Sequence, residues 1–235
     1  MVSAYLRRGL AAGLLAGLLA GLFAFFVGEP MLDRAIALEE ATHHGEGHEE
    51  VFSRSTQKAG LLFATGLFGV TVGGVFGISY AFFRERLAAS SDFKRSISLA
   101  GAIFAGAFLI PFLKYPANPP TVGDPTTIRE RTAAYFTLVA LSLLGMLLAW
   151  LAARTLKKRG VGVVRRRLMV GAGLVVVTGM LFLVLPAAPS ADGFPSGLLW
   201  AFRLSSVGTQ LIFWAGLGVL FGLLCERANR KGAAA

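Results

Sequence analysis

The sequence has few charged residues and only one cysteine. Asp, Glu, Lys and Arg together make up 15% of its 235 residues, against about 25% in an ordinary soluble domain. Hydrophobic residues account for 55% of the chain, and the mean hydropathy is +0.66. This composition excludes a soluble globular protein. The single cysteine, Cys225, cannot form a disulfide within the chain, and we interpret it as a packing residue.

Sequence motifs of catalysis are also missing. The chain has no phosphate-binding glycine loop, no nucleophile elbow and no HExxH zinc motif. We therefore expect no enzyme activity and no organic cofactor. No motif for binding DNA or RNA accompanies the basic residues, so we expect no nucleic-acid partner.

Six apolar segments without a single charged residue dominate the chain. A membrane-spanning helix needs about 20 mainly apolar residues. The segments predict an all-α membrane protein, a polytopic bundle of about six transmembrane helices that forms one integral membrane domain over residues 1–235. The third and fifth segments are short, and the third contains Pro111, so either could be tilted, broken or partly re-entrant. The segments span residues 9–27, 59–83, 97–113, 132–153, 168–185 and 204–225.

The distribution of basic residues predicts the orientation, because Lys and Arg are retained on the cytoplasmic side during insertion. With a cytoplasmic N-terminus, 16 of the 23 basic residues lie inside and 10 of the 13 acidic residues lie outside. Both termini are then cytoplasmic, and the outward loops cover residues 28–58, 114–131 and 186–203. Lys157–Arg167 becomes a cytoplasmic loop at the membrane surface.

Glycines recur at a four-residue spacing in two of the segments. This spacing leaves one helix face without side chains and lets another helix backbone approach closely. We interpret the glycine faces as contacts within one bundle, with a homo-oligomer contact as the alternative. The residues are Gly9, Gly13, Gly17 and Gly21 in the first segment and Gly69, Gly73 and Gly77 in the second.

All three histidines lie in the first outward loop, where residues 39–50 combine them with five carboxylates. Neutral imidazole with oxygen ligands suits cobalt, nickel, zinc or manganese better than copper(I). A helix over residues 32–40 would place Glu39 one turn from His43. Histidine-rich tracts are typical of metal binding, although a solvated acidic loop also tolerates histidines. The candidate ligands are His43, His44, His48, Glu39 and Glu46.

The second outward loop, residues 114–131, contains four prolines. Proline fixes φ and removes a backbone donor, so we expect a stiff, extended loop with carbonyl oxygens left free. Asp124 followed by Pro125 is typical of a helix start. The loop could form a shaped mouth over an ion pathway, with Asn118 and Asp124 as oxygen ligands. A rigid connector between two helices is the alternative.

Four polar residues lie inside or at the boundaries of the apolar segments. Glu29 and Asp33 follow the first segment, and Arg203 precedes the sixth. Ionisable groups near a bilayer usually face a partner or a water-filled cavity, so we hypothesise that Glu29 or Asp33 pairs with Arg203. Snorkelling of Arg203 to the interface is the alternative. Gln210, an amide inside the sixth segment, could line a path or hold two helices together.

Four stretches of the sequence resemble the CbtA family of proposed cobalt transporter subunits. They are residues 28–40, 51–57, 112–125 and 200–203, and the string Lys-Tyr-Pro-Ala-Asn-Pro-Pro within the third is the most specific. The resemblance implies a multi-pass protein of the bacterial inner membrane, linked to cobalt supply for cobalamin synthesis. It also implies a small one-helix, histidine-rich partner, CbtB. The residues that it emphasises are Glu29, Asp33, Tyr115, Pro116, Asn118, Asp124 and Arg203.

Together these features favour a subunit of a divalent metal transporter, with cobalt as the ion and nickel or zinc as further candidates. The histidine loop would concentrate the ion outside, and the rigid loop and the carboxylates at the helix end would pass it inward. The alternative is a non-transporting membrane partner that presents metal to another permease or assembles with it. The lack of acidic residues and histidines within the six segments favours that alternative.

Overall fold

The structure is a computed structural model that describes residues 2–42, 52–87, 89–120, 122–123, 125–191 and 193–233. These residues form helices and connecting segments, with no strand among them. The helices are α1 (Val2–Phe23), α2 (Glu29–Thr42), α3 (Arg54–Phe83), α4 (Asp92–Phe104), α5 (Ile110–Lys114), α6 (Ile128–Lys158), α7 (Val163–Val184) and α8 (Ser196–Ala233).

Two π-helical turns join neighbouring helices into longer rods. Ala24–Gly28 connects α1 to α2, and Ala105–Leu109 connects α4 to α5. Six helices in the described part of the chain are then long and apolar enough to cross a membrane, which confirms the predicted all-α, six-helix membrane fold. They run over Val2–Ala41, Arg54–Arg86, Asp92–Lys114, Ile128–Lys158, Val163–Val184 and Ser196–Arg230.

The chain divides into two compact units. The first comprises Met1–Gly101, Asn118–Thr121 and Phe194–Ala235, and the second comprises Ala102–Ala117 and Val122–Gly193. Each unit is described below by itself. The single membrane domain over residues 1–235 stays a prediction.

In the first unit, α1 and α3 pack through their glycine faces. A Cβ atom added to Gly13 would overlap with the carbonyl oxygen of Gly69, and one added to Gly73 would overlap with that of Gly9. Only glycine permits two backbones to approach this closely. The prediction that these glycines pack within one chain is confirmed. We call this contact the glycine interface.

Helix α8 completes the first unit by packing against α1 and α4. Its Phe221 is fully buried, with ring centroids 4.8 Å from Tyr80 and 5.1 Å from Phe76. Ser96 of α4 donates a hydrogen bond of 2.7 Å to the carbonyl oxygen of Gly218 in α8. A polar side chain that satisfies a backbone carbonyl in this way holds two helices together where no water is present.

In the second unit, the helix that contains Pro111 is continuous. Proline cannot donate to the preceding turn, and its ring crowds the carbonyl four residues earlier. The π-helical turn Ala105–Leu109 lies immediately before α5 and widens the helix there. The carbonyl of Gly106 in this turn accepts a hydrogen bond from Ser142 of α6. Helix α7 also runs unbroken over Val163–Val184, so neither short segment is broken.

We predict that Gly73→Ala destabilises the protein, while Gly60→Ala in the same helix does not. The new methyl group at residue 73 meets the α1 backbone, whereas nothing lies within 4 Å of a Cβ at residue 60. Overpacking of this kind costs about 1–3 kcal/mol. The thermal unfolding midpoints of the two variants, purified in one detergent, provide the measurement. Equal midpoints would show that the glycine interface is absent.

Candidate functional site

Four charged side chains meet at one end of the first unit. Glu29 and Asp33 lie one turn apart on α2, and Arg54 and Lys58 lie one turn apart at the start of α3. Arg54 Nη2 donates to Glu29 Oε2 at 2.6 Å and to Asp33 Oδ1 at 2.7 Å. Lys58 Nζ donates to Asp33 Oδ2 at 2.6 Å. We call these four residues the charged cluster.

The burial of Glu29 distinguishes the charged cluster from a surface ion pair. Glu29 is only 9% exposed, and it directly follows the apolar stretch that ends at Val27. A carboxylate so shielded from water needs a cation and hydrogen-bond donors to remain charged. Arg54 supplies both, because its fork of donors reaches the two carboxylates at once.

Local sequence fixes the start of α3 and therefore the position of Arg54. Ser53 has an extended backbone and accepts a hydrogen bond from the backbone N–H of Thr56, as a helix N-cap does. Gln57 donates to the carbonyl oxygen of Phe52 at 2.9 Å and accepts from Arg54 Nη1 at 2.6 Å. The guanidinium is thus held at the helix start, where α2 lies alongside.

The predicted pairing of Glu29 or Asp33 with Arg203 is wrong. Arg203 Nη2 instead donates to the side-chain oxygen of Asn118 at 2.8 Å, and its guanidinium lies over the ring of Trp200, 5.4 Å from the centroid. Glu29 and Asp33 instead form ion pairs with Arg54 and Lys58 at the start of α3. Arg203 Nε is buried without a hydrogen-bond partner.

In the second unit, the start of the proline-rich loop is tied to the segment that follows α7. Tyr115 donates its hydroxyl hydrogen to the carbonyl oxygen of Pro186 at 2.7 Å, and Lys114 Nζ donates to that of Phe182 at 2.7 Å. Burial raises the pKa of Tyr115 above its ordinary value, so this hydroxyl stays a donor at neutral pH. Pro116 follows in a stretch without helix or strand. These bonds support the expected stiffness of the loop.

The same unit contains a cavity of about 380 Å³ beside Tyr115. Its polar lining includes the side chains of Thr127, Glu130, Arg131 and Ser190. Gly123 faces Arg131 with a φ of +96°, a left-handed conformation that other residues rarely adopt. The cavity thus has a largely apolar lining with a few polar side chains, one of them a guanidinium.

Most of the predicted metal ligands lie outside the described residues. This holds for His43, His44, Glu46 and His48, and also for Asp124. Helix α2 extends to Thr42, so the predicted helix over residues 32–40 is confirmed and Glu39 lies on its last turns. Within the part of the chain that is described, no group of three His, Cys, Asp or Glu residues could hold a metal ion. The ligand set stays a prediction.

Gln210 lies within α8 and has a partner on its own helix. Its side-chain oxygen accepts a hydrogen bond of 3.2 Å from Trp214 Nε1, one turn further along. This contact satisfies the amide oxygen locally. A role in an ion pathway stays a prediction.

Sequence reasoning missed a second polar centre at the opposite end of the first unit. Asp92 is 4% exposed and accepts hydrogen bonds from Tyr80 at 2.8 Å, Asn229 at 2.9 Å, Arg95 at 3.1 Å and Arg84 at 3.2 Å. These donors come from α3, α4 and α8 and from the turn after α3. We call this arrangement the Asp92 network. The only signal for it in the sequence is an acidic residue close to several basic residues in a predicted cytoplasmic loop.

The two ends of the chain lie together at this end of the first unit. Arg8 Nη1 is 3.9 Å from the sulfur of Cys225, and the ring of Tyr5 lies 5.5 Å from that of Tyr80. An even number of membrane crossings places the first and last helix ends on the same side of the membrane, and the packing of α1 against α8 brings them into contact. Cys225 is fully buried, as expected of a packing residue.

The family comparison agrees with this architecture. A family model described as a probable cobalt transporter subunit, CbtA, matches residues 2–226. The chain belongs to the CbtA family. It is therefore a multi-pass membrane protein and a transporter subunit. The family description names no enzyme activity. No curated protein and no solved structure matches the chain. The resemblance predicted from the sequence is confirmed.

We predict that Arg54→Gln destabilises the protein and that Arg34→Gln, an exposed change on the neighbouring helix, does not. The first change leaves buried Glu29 without its cation, and hydrogen bonds to charged groups contribute about 1.5–3 kcal/mol. Combining Arg54→Gln with Glu29→Gln should recover part of the loss, as measured by a double-mutant cycle of unfolding midpoints. Purely additive effects would contradict the pairing.

We also predict that Asp92→Asn destabilises the first unit, because Arg84 and Arg95 lose their carboxylate. The matched control is Glu85→Gln, which removes one negative charge from an exposed position seven residues earlier. The expected loss is about 1.5–3 kcal/mol, measured again by thermal unfolding in detergent. An Asp92→Asn variant as stable as the Glu85→Gln variant would refute a structural role of the Asp92 network.

Proposed function

We propose that this chain is a cobalt transporter subunit of the bacterial inner membrane that captures the ion on an outward segment and passes it inward. Family membership supports the role of transporter subunit. The observation that supports a route for the ion is the charged cluster. It combines two carboxylates, one of them buried, at the end of an apolar helix, and its members lie on the two helices that the histidine segment joins in the sequence.

The covalent connection supports cooperation between these two groups. Helix α2 carries Glu29 and Asp33 and ends at Thr42, while α3 begins at Arg54. The candidate ligands His43, His44 and His48 belong to the segment that joins these helix ends. The segment is thus covalently joined to both helices that carry the charged cluster. In this proposal a cation released by the segment competes with Arg54 and Lys58 for the carboxylate oxygens of Glu29 and Asp33.

The charge distribution supports inward flux. The end of the first unit that holds the Asp92 network is rich in arginine, which is typical of a cytoplasmic face. The charged cluster then lies on the outer side. An inside-negative potential favours cation uptake by about 2.3 kcal/mol per charge per 100 mV, and by about twice that for a dication.

Cobalt is the proposed ion because of the family, while nickel and zinc fit the same nitrogen and oxygen ligands. A subunit has partners, and we propose a small one-helix, histidine-rich subunit of the CbtB type as one of them. A non-transporting role, in which the chain presents metal to another permease, is the second candidate. The lack of acidic residues and histidines within the six apolar segments of the sequence favours it.

The first test is cobalt uptake by cells that express a triple variant with His43, His44 and His48 changed to alanine. We expect uptake of labelled cobalt to fall severalfold at low external concentration and to recover at high concentration, because a capture site acts by raising local ion concentration. The matched control changes Ser3, Ser98 and Thr155, three exposed hydroxyl residues, to alanine. Uptake unchanged at every concentration would remove the capture role.

Reconstitution distinguishes the transporter from the presenting partner. The purified chain is placed in liposomes with an inside-negative potential, and cobalt influx is measured with and without a second subunit. Influx by the chain alone supports the proposed route. Influx only with the second subunit supports the presenting role.

A further inference from the structure

The hairpin of α6 and α7 concentrates positive charge that no carboxylate of the described residues pairs with. Seven basic residues lie between residues 154 and 167, and no acidic residue lies between Glu130 and Asp192. None of the seven forms an ion pair with a described residue. The described part of the chain therefore offers these cations no carboxylate partner. We call this surface the basic turn; its members are Arg154, Lys157, Lys158, Arg159, Arg165, Arg166 and Arg167.

The position of the basic turn along α6 corresponds to the headgroup level of a bilayer. Helix α6 has 31 residues, and at about 1.5 Å per residue it exceeds an apolar core of about 30 Å. Trp150 lies one turn before Arg154, whose guanidinium stacks over its ring at 4.9 Å. Tryptophan prefers the membrane interface. The remaining cations of α6 thus project among the lipid headgroups.

Exposed apolar residues flank the three arginines of the basic turn at the start of α7. At the start of α7, Val163 is 51% exposed, Val164 is 73% exposed and Leu168 is 68% exposed, next to Arg165–Arg167. Helix α7 has no buried residue, and its main neighbour is α6. A surface that combines cations with exposed aliphatic side chains at headgroup level fits a lipid, which offers an anionic headgroup and apolar tails together.

We propose that the basic turn is a binding surface for anionic phospholipids, whose phosphates supply the counterions that the described residues lack. The proposal is independent of ion transport. A Lys or Arg side chain near an anionic membrane surface contributes about 1 kcal/mol, which corresponds to about fivefold in affinity. Removal of three such cations should therefore weaken binding by on the order of a hundredfold.

The test measures lipid binding to the purified full-length chain in a neutral detergent by native mass spectrometry. Phosphatidylglycerol and phosphatidylcholine with identical tails are the two probes. We expect the wild-type chain to prefer phosphatidylglycerol and to lose this preference when Lys157, Arg159 and Arg165 are changed to glutamine. A control with Arg7, Lys94 and Arg227 changed to glutamine, which removes three exposed cations elsewhere, should keep it.

Two further measurements test the proposal even if the triple glutamine variant, which we call the neutralised variant, fails to fold. Arg159→Lys with Arg165→Lys preserves the charge and should preserve the preference, and sodium chloride should weaken phosphatidylglycerol binding to the wild-type chain. Equal binding of both lipids, binding that salt does not weaken, or an undiminished preference in the folded neutralised variant would overturn the proposal. Displacement of the lipid by equimolar glycerol 3-phosphate would also overturn it, since the surface would then bind a soluble anion.

Discussion

The glycine interface between α1 and α3 is the constraint on which the rest of the first unit depends. Lipid tails are as apolar as leucine, so helices in a membrane gain nothing from burying apolar surface and must associate through close packing. With Gly13 against Gly69 and Gly9 against Gly73, the two backbones are fixed in register along their length. That register places Arg54 and Lys58 opposite the carboxylates of α2, and at the other end it places Tyr80 beside Tyr5. The glycine interface thus fixes where both ends of α3 lie relative to α1.

The two π-helical turns show how polar groups are accommodated within apolar rods. Each inserts an extra residue into a helical turn, which frees a carbonyl and changes the direction of the side chains that follow. The turn Ala105–Leu109 widens the helix immediately before Pro111, and Ser142 donates a hydrogen bond to the carbonyl of Gly106. The turn Ala24–Gly28 immediately precedes Glu29. In both cases an irregular backbone lies next to a residue that a regular apolar helix would not tolerate.

Local patterns predicted the elements of this protein, whereas the polar partners required tertiary information. Runs of apolar residues gave the six helices, and glycine spacing gave the face that α1 presents to α3. The sequence also marks the carboxylates of Glu29 and Asp33 as functional candidates. It makes Arg203 their expected partner only because Arg203 lies at another membrane boundary. The observed partners, Arg54 and Lys58, are four residues apart, as Glu29 and Asp33 are. This match becomes informative only once the start of α3 is known to reach α2. Asp92 was missed although Tyr80, Arg84 and Arg95 lie within twelve residues of it, because only the packed helices bring these donors and distant Asn229 to one carboxylate.

The charged cluster has no net charge, so any metal ion that binds its carboxylates adds positive charge there. Two carboxylates and two cations leave no uncompensated charge at the end of the apolar helix when no metal is bound. A dication that joins them adds two positive charges beside a buried carboxylate, which is unfavourable unless a resident cation leaves. Arg54 and Lys58 are both partly exposed and carry long side chains, so either can turn toward water. Since Arg54 and Lys58 lie on the first turns of α3, displacement of either cation would alter the start of that helix. An ion at the two carboxylates would therefore change the contact between α2 and α3.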